Sequence, residues 1–221
     1  MSLESFDLIV IGGGPGGHAV AEEAARHGAR VAIIERNGWG GTCTHRGCIP
    51  TKALLACSGH YAALKKLSRM GVAAGAATYD FAAIRRHRDQ TVRIAALGVE
   101  KSLEGAGVET KTGEGRIAAP GEVICTAPNG ETESLWACCI VIVWGSEPAT
   151  IFPPSARILT SDTFLRLAAL PKSIVIIGGS VIGVEFATFL RSWASPSGSW
   201  RYFHPSSPMR RKRPEPSSKR N

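Results

Sequence analysis

No apolar run in this 221-residue chain approaches the roughly 18 residues of a membrane-spanning helix. The longest, Ala137–Trp144, is less than half that length. The first residues, Met1 to Asp7, include acids and no basic stretch, so they lack the charge pattern of a secretion signal. Without secretion, a disulfide framework is not expected, and any closely spaced pair among the six cysteines points to redox, catalytic or metal chemistry. Acids are absent between Glu185 and Glu215, whereas residues 193–221 carry Arg201, Arg210, Arg211, Lys212, Arg213, Lys219 and Arg220. Most of the net charge of +8 therefore sits in that tail, and the remainder is nearly balanced. This excludes a globally basic nucleic-acid-binding surface. At 44% hydrophobic and 20% charged residues, the composition predicts a soluble, cytoplasmic globule of one domain or two small ones.

What is present reads first as a strand, a tight turn, a helix and a second strand. Phe6–Ile11 is a short apolar run suited to a strand buried on both faces. Gly12-Gly13-Gly14-Pro15-Gly16-Gly17 breaks it, His18–His27 is alanine-rich, and Arg30–Glu35 is strand-like again. This is a βαβ unit with a parallel sheet. Helices are predicted from about Cys43 to Leu67 and from about Phe81 to Leu103. Val108–Val143 holds short strands with a turn at Pro128-Asn129-Gly130, and Cys139–Val143 is a candidate buried strand. A second strand and glycine turn follows at Ser173–Ile177 and Gly178–Gly183, with a helix from Val184 to Ser192. The repeat of this unit suggests two nucleotide-binding units. Beyond Ser192 the sequence is rich in proline, serine and arginine, has no apolar periodicity, and is read as disordered.

Gly12, Gly14 and Gly17 fit G-x-G-x-x-G between a strand and a helix. The first glycine permits the turn, the second lets backbone approach a pyrophosphate, and the third lets helix pack on strand. The helix start offers free N–H groups to phosphate. Glu35 ends the second strand about 20 residues on, where a carboxylate binds a ribose hydroxyl pair.

Cys43 and Cys48 lie in Gly40-Gly41-Thr42-Cys43-Thr44-His45-Arg46-Gly47-Cys48-Ile49-Pro50-Thr51-Lys52. Two cysteines five apart at a helix start can close a small disulfide, and the helix start is expected to lower a thiol pKa. Zinc is the rival, disfavoured by the spacing and by the lack of a second ligand pair, so no metal is expected. His45 is read as a solvated loop residue. Cys57 is placed on the opposite side of its helix from the pair, and Cys125, Cys138 and Cys139 are read as buried small hydrophobes.

The run Gly40–Lys52, with Gly12–Gly17 ahead and Ile174–Phe186 behind, resembles the FAD-dependent pyridine nucleotide-disulfide oxidoreductases. That family includes dihydrolipoamide dehydrogenase, glutathione reductase and mercuric reductase. The ending Ile49-Pro50-Thr51-Lys52 is most similar to the first of these. The gap between the cysteines differs from the C-x-x-C pair of the thioredoxin reductase branch. The resemblance covers about residues 5–192. It implies an α/β chain: a Rossmann-like FAD-binding domain (N-terminal segment) over 1–150, the start of a Rossmann-like NAD(P)-binding domain over 151–192, and the tail 193–221. It implies that Gly12, Gly14, Gly17 and Glu35 hold the adenosine-diphosphate half of FAD, with Thr42, Gly115, Gly145 and Ser146 also against the cofactor. Cys48 would face the flavin and Cys43 would exchange with substrate. Lys52 would lie near the flavin and pair with Glu185. Gly178, Ser180 and Gly183 would form the NAD turn. The implied activity links NAD(H), FAD, the Cys43–Cys48 disulfide and a dithiol substrate, a lipoyl group before glutathione or Hg(II), in a homodimer.

Three departures qualify that expectation. Trp144 stands where a small hydroxyl residue is usual, and overpacking there would oppose flavin binding. Ser180 replaces the middle glycine of the NAD turn. No strand ending in an acid follows Gly183, and the family's His–Glu acid/base pair has no counterpart, since His204 lies in the tail. The chain is therefore expected to be a truncated or frame-shifted product, inactive by itself, with a non-catalytic flavin-binding or interaction fragment as the alternative. A further rival has Arg210-Arg211-Lys212-Arg213 binding nucleic acid or an anionic membrane.

Overall fold

The computed structural model describes residues 4–73, 75–148, 152–153, 155–193 and 200–203. They fall into two compact units, Met1–Cys57 with Thr78–Ala169, and Ser58–Ala77 with Leu170–Asn221.

The first unit is built on a six-stranded sheet. Its elements include β1 (Glu4–Ile11), α1 (Pro15–Arg26), β2 (Val31–Glu35), α2 (Gly41–Arg46) and the first part of α3 (Cys48–Leu67). They continue with α4 (Phe81–Gly105), β3 (Glu109–Thr112), β4 (Glu114–Ala119), β5 (Glu122–Thr126), β6 (Thr132–Ile142) and α5 (Ser161–Leu165). The strand order is β3-β2-β1-β6-β5-β4. β1 runs parallel to both β2 and β6, with Ile9 opposite Ala32 and Ile140, and β2 runs parallel to β3. β4, β5 and β6 are antiparallel. The expected βαβ unit is thus present, and Leu8–Ile11 is buried on both faces as a central strand requires, while Asp7 is exposed. Leu8 and Val10 pack with Ala21 and Leu103 under the helices, while Ile9 and Ile11 pack with Val123, Leu135 and Ala137.

The second unit holds β7 (Ile174–Ile177), α6 (Val181–Trp193) and β8 (Trp200–Phe203). Here the structure departs from the expectation of no strand beyond Ser192. β8 pairs parallel with β7, Ile174 opposite Trp200 and Ile177 opposite Phe203, so β7, α6 and β8 form a second βαβ unit. Its aromatic residues Trp200, Tyr202 and Phe203 favour a strand even in a segment whose wider composition reads as disordered. The rest of the tail, including His204 and Arg210–Arg213, lies outside the described residues. The two units repeat each other at the turn. Gly12 and Gly178 both hold positive φ, +115° and +106°. A Cβ on Gly17 would meet the Gly12 carbonyl oxygen at 1.8 Å, and one on Gly183 would meet the Gly178 oxygen at 2.7 Å. In each, the last glycine lets the helix start lie on the turn.

Two local expectations need correction. The helix expected from Cys43 to Leu67 is broken at Gly47 (φ −138°, ψ −107°), leaving Cys43 on α2 and Cys48 as the first residue of α3. Pro50 fits that first turn because the missing N–H has no intrahelical acceptor there. Cys125 is buried as expected, but Cys138 and Cys139 are exposed. They lie in the second half of β6, where burial is only partial: Ile142 is 45% exposed.

Candidate functional site

The C-terminal ends of β1, β2 and β6 open into a cleft of about 1280 Å³ in the first unit. That exceeds the roughly 300–1,000 Å³ of ordinary small-molecule pockets and suits an extended ligand. Its position, beyond the carboxyl ends of parallel strands, is where such sheets bind ligands.

The floor is the first glycine turn. A Cβ on Gly12 would lie 2.5 Å from the Val143 oxygen, and one on Gly13 2.8 Å from Glu35 Cβ, so neither position has room for a side chain. Gly14 is different. The nearest atom to a Cβ there is Gly41 Cα at 4.0 Å, so this backbone faces the open cleft. Gly14 is also the N-cap of α1, without a side-chain cap, and Pro15 opens the helix. The Gly16 and Gly17 amides therefore have no intrahelical acceptor and offer an anion site with the helix dipole behind it. Gly17 itself is buried under the turn.

Glu35 is 9% exposed at the end of β2. Its Oε2 accepts the Gly13 N–H at 2.7 Å and its Oε1 the Asn37 N–H at 2.6 Å. A carboxylate has about four acceptor sites, so both oxygens keep capacity for a hydroxyl pair. Gly115 lines the same cleft against Ile34 and Ile11, and a Cβ there would meet the Ile34 side chain at 3.1 Å.

A second glycine pair carries the thiols to this turn. Gly40 and Gly41 have φ of +92° and +56°, the Gly40 N–H donates to the Gly13 oxygen at 2.8 Å, and a Cβ on Gly41 would come 2.8 Å from Gly14 Cα. Only glycine lets α2 approach so closely. Thr42 and Cys43 line the cleft, and Cys48 is exposed outside its lining. The two thiols are free, and Cys48 is among the groups that act on Cys43.

The expected lowering of a thiol pKa by the helix start does not hold for Cys43. Burial pushes it up, the neighbouring Cys48 adds to that, and the Lys52 charge only partly opposes it. α2 is six residues long, too short for its dipole to outweigh burial. His45 also differs from expectation. It sits on α2, half-buried, with Nε2 on the Trp39 oxygen at 3.0 Å, so it fastens a loop. Cys57 is half-buried, and burial raises its thiol too.

The loop after β6 lines the cleft with Trp144, Gly145 and Ser146, Gly145 at φ +76°. Trp144 is 72% exposed, so its ring does not overpack the protein interior; it stands in the mouth of the cleft. Two arginines that no sequence motif marks, Arg46 and Arg88, join this wall. Arg46 pairs with Glu147 and Asp162, and buried Arg88 donates to the Leu165 oxygen and pairs with Asp89 at 2.5 Å. The contacts of Arg46 with Glu147 and Asp162, and of Arg88 with Leu165, span long stretches of chain, so no local motif announces them.

Of the expected site residues, Gly12, Gly14, Glu35, Thr42, Cys43, Gly115, Gly145 and Ser146 meet at this one cleft. Lys52 belongs to the same unit, its charge acting on Cys43. Gly178, Ser180, Gly183 and Glu185 belong to the second unit. Among the described residues no cluster of side chains suits a metal ion and no helix is long and apolar enough to cross a membrane.

Comparison with known proteins converges on one family. The profile of the pyridine nucleotide-disulphide oxidoreductases matches residues 6–196. A dihydrolipoyl dehydrogenase of Chlorobaculum parvum is 40% identical over 192 residues, covering 85% of this chain and 41% of the relative. That of Bacillus subtilis is 33% identical over 199 residues, covering 85% and 42%. The chain thus spans about two fifths of the length of these relatives. The crystal structure of LpdA from Mycobacterium tuberculosis shares the fold at a TM-score of 0.77 and 24% identity, over 86% of this chain and 43% of that one.

Proposed function

Because the chain belongs to the pyridine nucleotide-disulphide oxidoreductase family, we propose that its cleft holds FAD and works with Cys43 and Cys48 in a dihydrolipoamide dehydrogenase-like reaction. Residues 1–150 serve as the FAD-binding domain and 151–192 open the NAD-binding domain, in a homodimer acting on a lipoyl dithiol. The observation that carries this reading is the open backbone of Gly14, set between the start of α1, Glu35 and the helix bearing Cys43.

Gly14 and the free amides of α1 receive the pyrophosphate, and Glu35 the ribose hydroxyls. Thr42, Gly115, Gly145 and Ser146 line the remaining length. Bound FAD supplies two-electron exchange between a nicotinamide hydride and the disulfide. The protein's own part is thiol exchange. A substrate thiolate attacks Cys43 Sγ of the Cys43–Cys48 disulfide, forming a mixed disulfide and releasing the Cys48 thiolate. The second substrate thiolate then displaces Cys43, leaving an oxidised substrate and a reduced pair. Lys52 is the cation whose charge stabilises the Cys43 thiolate, and Gly178, Ser180 and Gly183 hold NAD.

Because burial and Cys48 hold the Cys43 proton on, attack by reduced Cys43 on a substrate disulfide needs a base to take that proton, and the reverse exchange needs an acid to return it to the leaving Cys43 thiolate. The family resemblance assigns that role to a His–Glu pair of the dimerisation domain. The same raised pKa favours a second reading, in which the 221 residues bind flavin without turnover: the groups acting on Cys43 are a thiol and a cation, and neither accepts its proton. The test is to mix the reduced chain with oxidised lipoamide and quench with acid. A mixed disulfide on Cys43, absent from Cys43→Ser, supports the exchange role. Adducts spread over Cys57, Cys138 and Cys139 instead would contradict it.

A further inference from the structure

Arg46 stands between the two cysteines in sequence and is the last residue of α2. Its guanidinium presents a fork to Glu147: Nη1 lies 3.2 Å from Oε2, and Nη2 lies 3.2 Å from Oε1. Nη1 also reaches Asp162 Oδ2 at 3.1 Å, and Nη2 reaches Thr42 Oγ1 at 3.4 Å. Asp162 lies in the first turn of α5, which is fixed by a capping box of Thr160 and Thr163. Glu147 ends the turn Trp144–Glu147, which contains the left-handed Gly145. All these segments line the one cleft.

We propose that Arg46 is a positioning residue that fastens the thiol-bearing helix to the Trp144–Glu147 turn and to α5, and thereby sets both the access to Cys43 and the hold of the cleft on its ligand. The planar fork suits this task, since it satisfies two carboxylates at once and resists rotation. α2 needs such a fastening. It is a single short stretch ended by Gly47, with too few internal hydrogen bonds to be stable by itself. Arg46 is three residues from Cys43 and so lies on the same face of α2. What holds Arg46 also holds the thiol.

The flavin reading enters only the second of two measurements. The first follows alkylation of Cys43 in the reduced, cofactor-free chain by mass spectrometry. Arg46→Gln and Glu147→Gln should each speed it by roughly two- to fivefold, the scale of an exposed ion pair. The double variant should be no faster than Arg46→Gln alone, because that substitution already removes the Glu147 pairing. Arg46→Lys, which keeps charge but not the fork, should recover only part of the effect. Glu147 is largely exposed and far from the thiols in sequence, so Glu147→Gln reports coupling even if Arg46→Gln perturbs folding. The second measurement is the dissociation rate of FAD, expected to rise in the same order across the variants. Unchanged alkylation with Glu147→Gln, or additive effects in the double variant, would overturn the proposal. Altered alkylation in a chain that fails to bind FAD would instead uphold Arg46 and overturn the flavin reading.

Discussion

Gly13 and Glu35 are joined by a hydrogen bond of 2.7 Å, from the backbone of the glycine turn to the carboxylate at the end of the next strand. This bond fixes the acid before any ligand arrives. Replacing Glu35 by Gln removes one acceptor oxygen and leaves a buried N–H short of a partner, at about 1–3 kcal/mol. Denaturant unfolding should show a loss of that size, and FAD affinity should fall at least about tenfold, as for the loss of a charge-assisted contact.

Gly17 and Gly14 should behave oppositely. Gly17→Ala drives a Cβ to 1.8 Å from the Gly12 oxygen, so the backbone must move. The cost is about 3 kcal/mol or more, as for severe overpacking. Gly14→Ala meets open space and should cost less than about 1 kcal/mol, the scale of a poorer N-cap. It nevertheless places a methyl group on the path of the pyrophosphate. Thermal unfolding and FAD titration of both variants separate the fold role from the binding role.

The same contrast shows what the sequence could reveal. The glycine turn was legible because its demands are local: strand, tight turn, helix start and acid follow within one βαβ unit. The thiol pair was legible as a motif, but the direction in which the Cys43 pKa moves was not, because burial of Cys43 is set by packing between α2 and its surroundings. Arg46 and Arg88 were invisible, since their partners Glu147, Asp162 and Leu165 lie far along the chain. β8 was missed because four residues of strand sit inside a Pro- and Ser-rich stretch. Cys138 and Cys139 were misplaced because apolar sequence says nothing of whether a second layer covers the strand.

Cys43 should react late in a pH titration. Its thiol lies above the ordinary value of about 8.5. Alkylation of the reduced chain should therefore be slow at neutral pH and rise with a midpoint above that value. Lys52→Met should move the midpoint further up, because a neighbouring positive charge favours the thiolate. A midpoint that stays put in Lys52→Met would separate the two groups.

Trp144 should oppose the cofactor and leave the fold alone. With 72% of its surface exposed, Trp144→Thr should change unfolding by no more than about 0.5 kcal/mol. Relief of the clash in the cleft, worth about 1–3 kcal/mol, should tighten FAD binding by roughly five- to 150-fold. Equal affinity in the two proteins would show that the ring turns aside.

The most direct measurement is a calorimetric titration of the 221-residue chain with FAD. One site per chain is expected, weakened by Glu35→Gln and by Gly14→Ala. Absence of a saturable site, or one indifferent to both substitutions, would contradict the assignment of this cleft.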